Sequence, residues 1–380
     1  MLNTANIYFS VFHPQYRIFG ALLLGIAINA YAIPVIIRIA KKKHLFDVPD
    51  ARKTHGCVVP TLGGLGIYVT VVTLCLTLIN TCGMDGGKSA SNFSALSPVV
   101  AGFTLIFFIG LKDDLLNISA WKKLAVECIA MFILIVIGDV RLNSLQGMFS
   151  IYELNYFVSC ALSLFAGIVI INAYNLIDGI DGLAASITML GSLAFGYYFF
   201  EIHQWEYAVL TAAIVGALIP FIYYNAFGKE NKIFMGDTGS LILGFAITVL
   251  VFRFNQLNSM PNYRHCFVAA PAFSLAVVIL PMFDTLRVFV IRVFRGGSPF
   301  NADRRHMHHV LLDIGFTHLQ ATSILIFVNF LFILYAHFFN QLGNSVLVYS
   351  MLLCAIFLSG LAIWVRRRAV EKKKKAELYG

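Results

Sequence analysis

Apolar runs long enough to cross a bilayer recur near residues 18–39, 62–80, 97–111, 121–137, 157–173, 183–200, 207–227, 239–254, 266–291, 319–340 and 345–365. About 30 Å of hydrocarbon takes roughly 20 helical residues, and backbone facing lipid must satisfy its own hydrogen bonds. Only 12% of residues are charged and the mean hydropathy is +0.80, against roughly 25% charged in soluble domains. The expectation is an all-α polytopic integral membrane protein with about eleven transmembrane helices, the short third span leaning on its flanks. No 20 to 50 residue period and no Pro/Ser linker divides the chain. Residues 1–365 read as a single multi-span domain and 366–380 as a basic tail beside anionic headgroups. Residues 1–19 lack a basic region followed by a cleavable apolar core and read as a retained outer tail.

The net charge of +9 raises the question of nucleic acid, but the basic residues are distributed by topology. With the N-terminus outside, all 28 lysines and arginines except Arg17, Lys88, Arg141, Arg253 and Arg264 fall on the inner side. That asymmetry follows the positive-inside rule and puts the C-terminus in the cytoplasm. Membrane lipids are therefore the expected surroundings, and no nucleic acid is expected. The seven cysteines are scattered singly, without zinc-ligand spacing, and read as inert apolar residues. In the outer segment 138–156, Val140, Leu142, Leu145, Met148, Phe149 and Ile151 alternate loosely with polar residues, which suits a small hairpin.

Five polar clusters interrupt the apolar chain: Asp113-Asp114, Asn175 to Asp181, Gly236 to Gly239, Asp284, and His306-Met307-His308-His309. Carboxylates and imidazoles near lipid are expensive, so they read as a polar site. On the alternating topology all of them face the cytoplasm, along with the basic stretch 41–55. Neighbouring helical side chains diverge by about 100°, so Asp113 and Asp114 take different roles. Asn175, Asp178 and Asp181 recur at every third residue and share a face if that segment is helical. Three oxygen-bearing side chains suit a hard cation, or a ribose and pyrimidine edge. An Asx turn before the next helix is the plainer alternative.

Thr238 or Ser240 is placed to cap the helix that begins near Gly236, leaving free amides for phosphate oxygens. Asp237 is either a simple cap or, with phosphate nearby, a magnesium ligand. Arg304 and Arg305 among the histidines suggest a phosphate clamp, since no His-Glu-x-x-His frame or nearby cysteine favours zinc. Asp284 lies within an apolar run, and pairing with Arg287 one turn later is its expected role.

Together these residues resemble a known group. Arg52-Lys53-Thr54-His55 with Pro60, Gly63 and Gly64, then Asp113-Asp114, Asn175 with Asp178-Gly-x-Asp181-Gly, Met235-Gly236-Asp237-x-Gly239-Ser240, and Ser298-Pro299 with Arg304, His306, His308 and His309 occur in order over roughly residues 20–340. The pattern resembles the bacterial polyprenyl-phosphate N-acetylhexosamine-1-phosphate transferases, of the glycosyltransferase family 4 type. Met307 interrupts the histidines. That break is similar to the branch using UDP-GlcNAc for O-antigen or common-antigen synthesis, whereas the phospho-MurNAc-pentapeptide transferases usually carry three consecutive histidines.

The resemblance implies transfer of a sugar 1-phosphate, most simply GlcNAc-1-phosphate, from a UDP-N-acetylhexosamine to undecaprenyl phosphate. UMP is released, at the bacterial inner membrane. It implies magnesium, with manganese as a substitute, held by Asn175 and Asp237. Asp178 and Asp181 would line the nucleotide pocket, and Asp113 and Asp114 would lie beside the lipid phosphate. His306, His308, His309 and Arg304 or Arg305 would hold the donor phosphates. Lys53, His55 and Lys122 or Lys123 are further phosphate-binding candidates, and a homodimer is an open assembly.

Asp113 is expected to position rather than to act as a base. A phosphate monoester with a second pKa near about 6 is already mostly dianionic at pH 7, and an Asp near about 3.9 is a weak base for it. The competing classes are a secondary transporter, which predicts mid-span acids and paired broken helices, and a lipid-binding scaffold, which needs none of Asn175, Asp178, Asp181 and Asp237.

Overall fold

The computed structural model describes residues 14–43, 45, 59–79, 89–260, 267–296 and 305–379. Each expected span coincides with a helix: α1 Pro14–Lys43, α2 Gly63–Leu74 continuing as a π turn Cys75–Ile79, α3 Ser89–Leu116, and α4 Ala120–Phe132 with the π turn Ile133–Ile137. There follow α5 Tyr156–Ile177, α6 Leu183–Glu201, α7 Trp205–Ile222 with the π turn Tyr223–Phe227, α8 Gly236–Asn258, and α9 Ala270–Phe294. A short amphipathic α10, Met307–Ile314, precedes α11 His318–Phe338 and α12 Asn344–Tyr379. Among the described residues eight of these helices are long and apolar enough to cross a membrane unaided, and Gly63–Leu78 is a shorter apolar helix. The protein is a multi-pass membrane protein.

The helix α8 is the axis of the bundle. Nearly every residue from Thr238 to Asn258 is buried, against α3, α5, α2 and α6. In lipid, helices associate through close packing rather than through a hydrophobic effect, so small residues set the approach. Gly110 on α3 shows this: a Cβ there would lie 2.5 Å from the Cα of Thr238. One turn beyond Gly110 comes Asp114, and this close approach carries its carboxylate onto the start of α8.

The two ends of the bundle differ. At one end lie the C-terminal ends of α1, α3, α5, α7 and α9 and the N-terminal ends of α2, α4, α6 and α8, where the acidic clusters fall. Lys41 Nζ there donates to the Glu230 carbonyl at 3.0 Å. At the other end Gln256 Nε2 donates to Asp139 O at 2.7 Å and Asn344 Nδ2 to Gln146 O at 2.8 Å. The hairpin expected over 138–156 reduces to one antiparallel bridge, Ser144 with Glu153, flanked by Leu145 N to Tyr152 O at 3.1 Å. A 3-10 turn, Met148–Ser150, and a left-handed Gly147 close the loop before any strand extends.

Candidate active site

Asp113 and Asp114 occupy the last turn of α3 and do take different roles. Asp113 Oδ1 accepts from Ile118 N at 2.9 Å, and Oδ2 accepts from Lys123 Nζ, also at 2.9 Å. Asp114 turns the other way. Its Oδ1 accepts from Asp237 N at 2.7 Å, and Oδ2 from Thr238 N at 3.0 Å and from the Thr238 hydroxyl. A carboxylate fits the N-terminus of a helix because the first amides are unsatisfied and carry the positive end of the dipole.

This corrects one expectation. Neither Thr238 nor Ser240 caps α8 through its side chain, and the amides of Asp237 and Thr238 are not open to phosphate. The cap comes from Asp114, 123 residues away in sequence from Asp237. A cap delivered from another helix leaves no local signature, whereas Thr238 and Ser240 stand where a local cap would be sought.

Lys123, one turn into α4, is the cation of the cluster. Its Nζ lies 2.9 Å from Asp113 Oδ2 and 3.4 Å from Asp237 Oδ1. Lys122, its neighbour, is exposed. Asp237 Oδ1 also accepts from Asn175 Nδ2, which is 2.8 Å from Ser240 Oγ. Glu127, four residues after Lys123, is 1% exposed, and its Oε2 accepts from Asn172 Nδ2 at 2.6 Å. In the sequence this pair is signalled only by spacing, Glu127 at i+4 from Lys123 and Asn172 at i−3 from Asn175.

The triplet Asn175, Asp178 and Asp181 does not share a helical face. α5 ends at Ile177, Asp178 is its C-cap with ψ of 36°, and the chain turns until Gly182, at φ of 75°, starts α6. The turn is held from outside: Gly182 N donates to Asn225 Oδ1 at 2.6 Å, and Thr322 Oγ1 donates to Asp181 O at 2.9 Å. Asp181 itself pairs with Lys232 Nζ at 2.6 Å. Burial, reinforced by the charges of Asp237, Asp114 and Asp181, holds the Asp178 carboxyl well above its ordinary value. The tertiary fold still gathers these acids around Asp237, through a turn instead of a helix face.

The histidines close over this turn. Asp284 pairs with Arg287 as expected, Oδ1 lying 2.8 Å from Nη2, and its Oδ2 also accepts from His306 Nδ1 at 2.9 Å. Its carboxylate further accepts the Met307 amide that opens α10. That fixes the His306 ring and leaves Nε2 for a ligand. His306 and His308 stack with centroids 5.8 Å apart, and His309 lies 4.2 Å from His308. His308 covers Gly179 so closely that a Cβ there would be 2.5 Å from Nε2.

Burial, then the neighbouring His309, pushes the His308 imidazole down to about 3, so it is neutral at pH 7. Its Nε2 is buried with no partner among the described residues. The phosphate-clamp expectation therefore cannot draw positive charge from His308. Arg305 is half-buried, and its carbonyl accepts from Arg287 Nη2 at 2.6 Å. Lys53, His55 and Arg304 lie outside the described residues.

A metal or polar-ligand site could be assembled here from hard oxygens. Asp113 and Asp237 pair with Lys123 and Asp181 with Lys232, while Asp178 feels the charges of Asp237, Asp114 and Asp181. Among the described residues no three His, Cys, Asp or Glu side chains converge into a ready cation cage.

The sequence is that of a phosphoglycosyltransferase. The chain belongs to glycosyl transferase family 4, whose profile matches residues 96–255, from α3 through most of α8. It is 29% identical over 354 residues to the undecaprenyl-phosphate alpha-N-acetylglucosaminyl 1-phosphate transferase of Escherichia coli (strain K12), covering 89% of each chain. The Yersinia pestis protein of that name is 30% identical over 291 residues, 75% of this chain and 74% of the relative. A probable undecaprenyl-phosphate N-acetylglucosaminyl 1-phosphate transferase of Bacillus subtilis (strain 168) is 26% identical over 321 residues, 83% of each.

Proposed function

We propose that this protein transfers GlcNAc-1-phosphate from UDP-GlcNAc to undecaprenyl phosphate, releasing UMP, at the cytoplasmic face of the bacterial inner membrane. The observation that carries this reading is Lys123 set between Asp113 and Asp237, beside Asn175, at the basic end of a helix bundle. The relatives' names supply the lipid and the sugar, and the positive-inside asymmetry supplies the orientation. The acceptor is confined to the leaflet and the donor to the cytosol, so the site belongs at their boundary.

Asn175 and Asp237 would hold magnesium. The donors are hard oxygens, the cluster has excess negative charge, and a pair of ligands suits an ion that takes one or two carboxylates and completes its shell with phosphate and water. Bound magnesium would offset repulsion between the two phosphates and stabilise charge on the departing UMP.

The chain's own groups divide the remaining work. Lys123 supplies a positive charge where the phosphates approach. Asp113 accepts hydrogen bonds at both oxygens, which suits a residue that positions Lys123 better than one awaiting a proton. Asp114 fixes the start of α8, and with it Asp237. His306, oriented by Asp284, presents Nε2 to the donor phosphates, while neutral His308 packs the 178–182 turn that would border the nucleotide.

The test is transfer from a panel of radiolabelled UDP-sugars to undecaprenyl phosphate in membranes containing the protein and magnesium. A lipid-linked GlcNAc diphosphate is the expected product. Absence of any lipid-linked sugar, with active controls, refutes the assignment.

A further inference from the structure

A second basic site includes Arg287 of the Asp284–Arg287 pair but none of the histidines in its lining. A cavity of about 650 Å³ opens between the last turns of α9, the start of α10 and the end of α12. Arg287, Arg295, Arg305, Arg366 and Arg367 line it. Arg287 is balanced by Asp284, and Arg366 by Asp313 at 2.6 Å. Arg295 and Arg367 are exposed and make no ion pair with a described residue. Glu371 is the acidic group among the lining residues, so the cavity keeps a positive excess.

Its walls are not those of a pocket for a soluble anion. Val290, Ile291 and Phe294 of α9 and Ile363 of α12 form them. The adjoining surface of α9 is strongly apolar and exposed, with Phe294 87%, Leu286 57% and Val293 52% accessible. Apolar walls rimmed by guanidinium groups, where two membrane helices leave the bilayer, match an anionic amphiphile whose headgroup meets the arginines and whose chains lie along α9.

We propose that this cavity binds the phosphodiester headgroup of an anionic phospholipid of the surrounding leaflet, separately from the site around Asp237. Arg287 lies in its wall and also grips Asp284, which orients His306, so a bound lipid would brace the support of the histidine cluster.

Thermal unfolding of the full chain in detergent, with added lipid probes, tests this. Dioleoyl-phosphatidylglycerol is expected to raise the Tm by several degrees beyond dioleoyl-phosphatidylcholine, through binding to the folded state. The Arg295→Gln/Arg367→Gln variant should lose most of that difference while matching the wild-type Tm in phosphatidylcholine. The Arg295→Lys/Arg367→Lys variant, which keeps both charges, should retain most of it.

Equal shifts with both phospholipids, an undiminished shift in the glutamine variant, or its complete loss in the lysine variant would each overturn the proposal. So would an equal shift with inorganic phosphate, which marks a soluble-anion pocket. An equal shift with farnesyl phosphate, lost in the glutamine variant, would instead assign the cavity to a prenyl phosphate.

Discussion

Asp114 caps the helix that carries Asp237, its Oδ1 accepting the Asp237 backbone N–H at 2.7 Å. An aspartate expected beside the lipid phosphate is therefore tied to the frame of the site. Asp114→Ala is expected to destabilise the fold by about 0.5–2 kcal/mol, the range for a lost helix cap. It should abolish transfer at every pH. Asp114→Asn keeps one acceptor oxygen and should recover part of the stability. Thermal unfolding beside the transfer assay checks this; wild-type stability in the alanine variant would refute the capping role.

Lys123 offsets the mutual repulsion of two neighbouring carboxylates, lying 2.9 Å from Asp113 and 3.4 Å from Asp237. Lys123→Met should lower transfer by at least about 100-fold, the scale expected when an electrostatic contact to developing charge is removed. Lys122→Met, on the exposed side of α4, should stay within a few-fold of wild type. Comparable losses in both variants would mean that the cluster does not depend on the Lys123 bridge.

Asp113 has both oxygens engaged, which makes a definite pH prediction. The activity of Asp113→Asn should fall by the same factor at each pH from 6 to 9. Recovery with rising pH would show that Asp113 removes a proton.

Gly179 leaves His308 no room for a methyl group. Gly179→Ala should displace the ring and raise the KM for the UDP-sugar more than it lowers kcat, because the 178–182 turn is disturbed while Lys123 and Asp237 are not. Kinetic constants for each substrate separate this from a general loss of folded protein.

His308 should make the fold acid-sensitive. Its folded pKa, about 3, lies below the ordinary 6.5, so the unfolded chain binds the extra proton first as pH drops. The neutral ring's contribution is complete above about pH 6.5 and falls by up to about 1.4 kcal/mol per pH unit on the way down to about 3. His308→Asn should flatten that part of the stability profile. Unfolding midpoints measured between pH 7 and 4.5 provide the comparison.

Much of the architecture is legible in the chain because lipid permits few solutions. Each expected apolar run lies on a helix, and the Asp284–Arg287 pair follows from i,i+3 spacing on α9. Glu127 with Asn172 was not legible: a lone glutamate in an apolar run shows no partner until α4 and α5 are packed together.

The sequence alone determined the membrane class, the helical segments and the residue types of the site, since hydropathy and charge act locally along the chain. The tertiary structure decided what each acid does. Asp114 became a cap because Gly110 lets α3 press against α8, and Asp181 found Lys232 because the chain leaves its helix at Asp178. Hydrogen bonds and ion pairs hold at about 3 Å, so the role of a carboxylate depends on which helix packing brings within that reach.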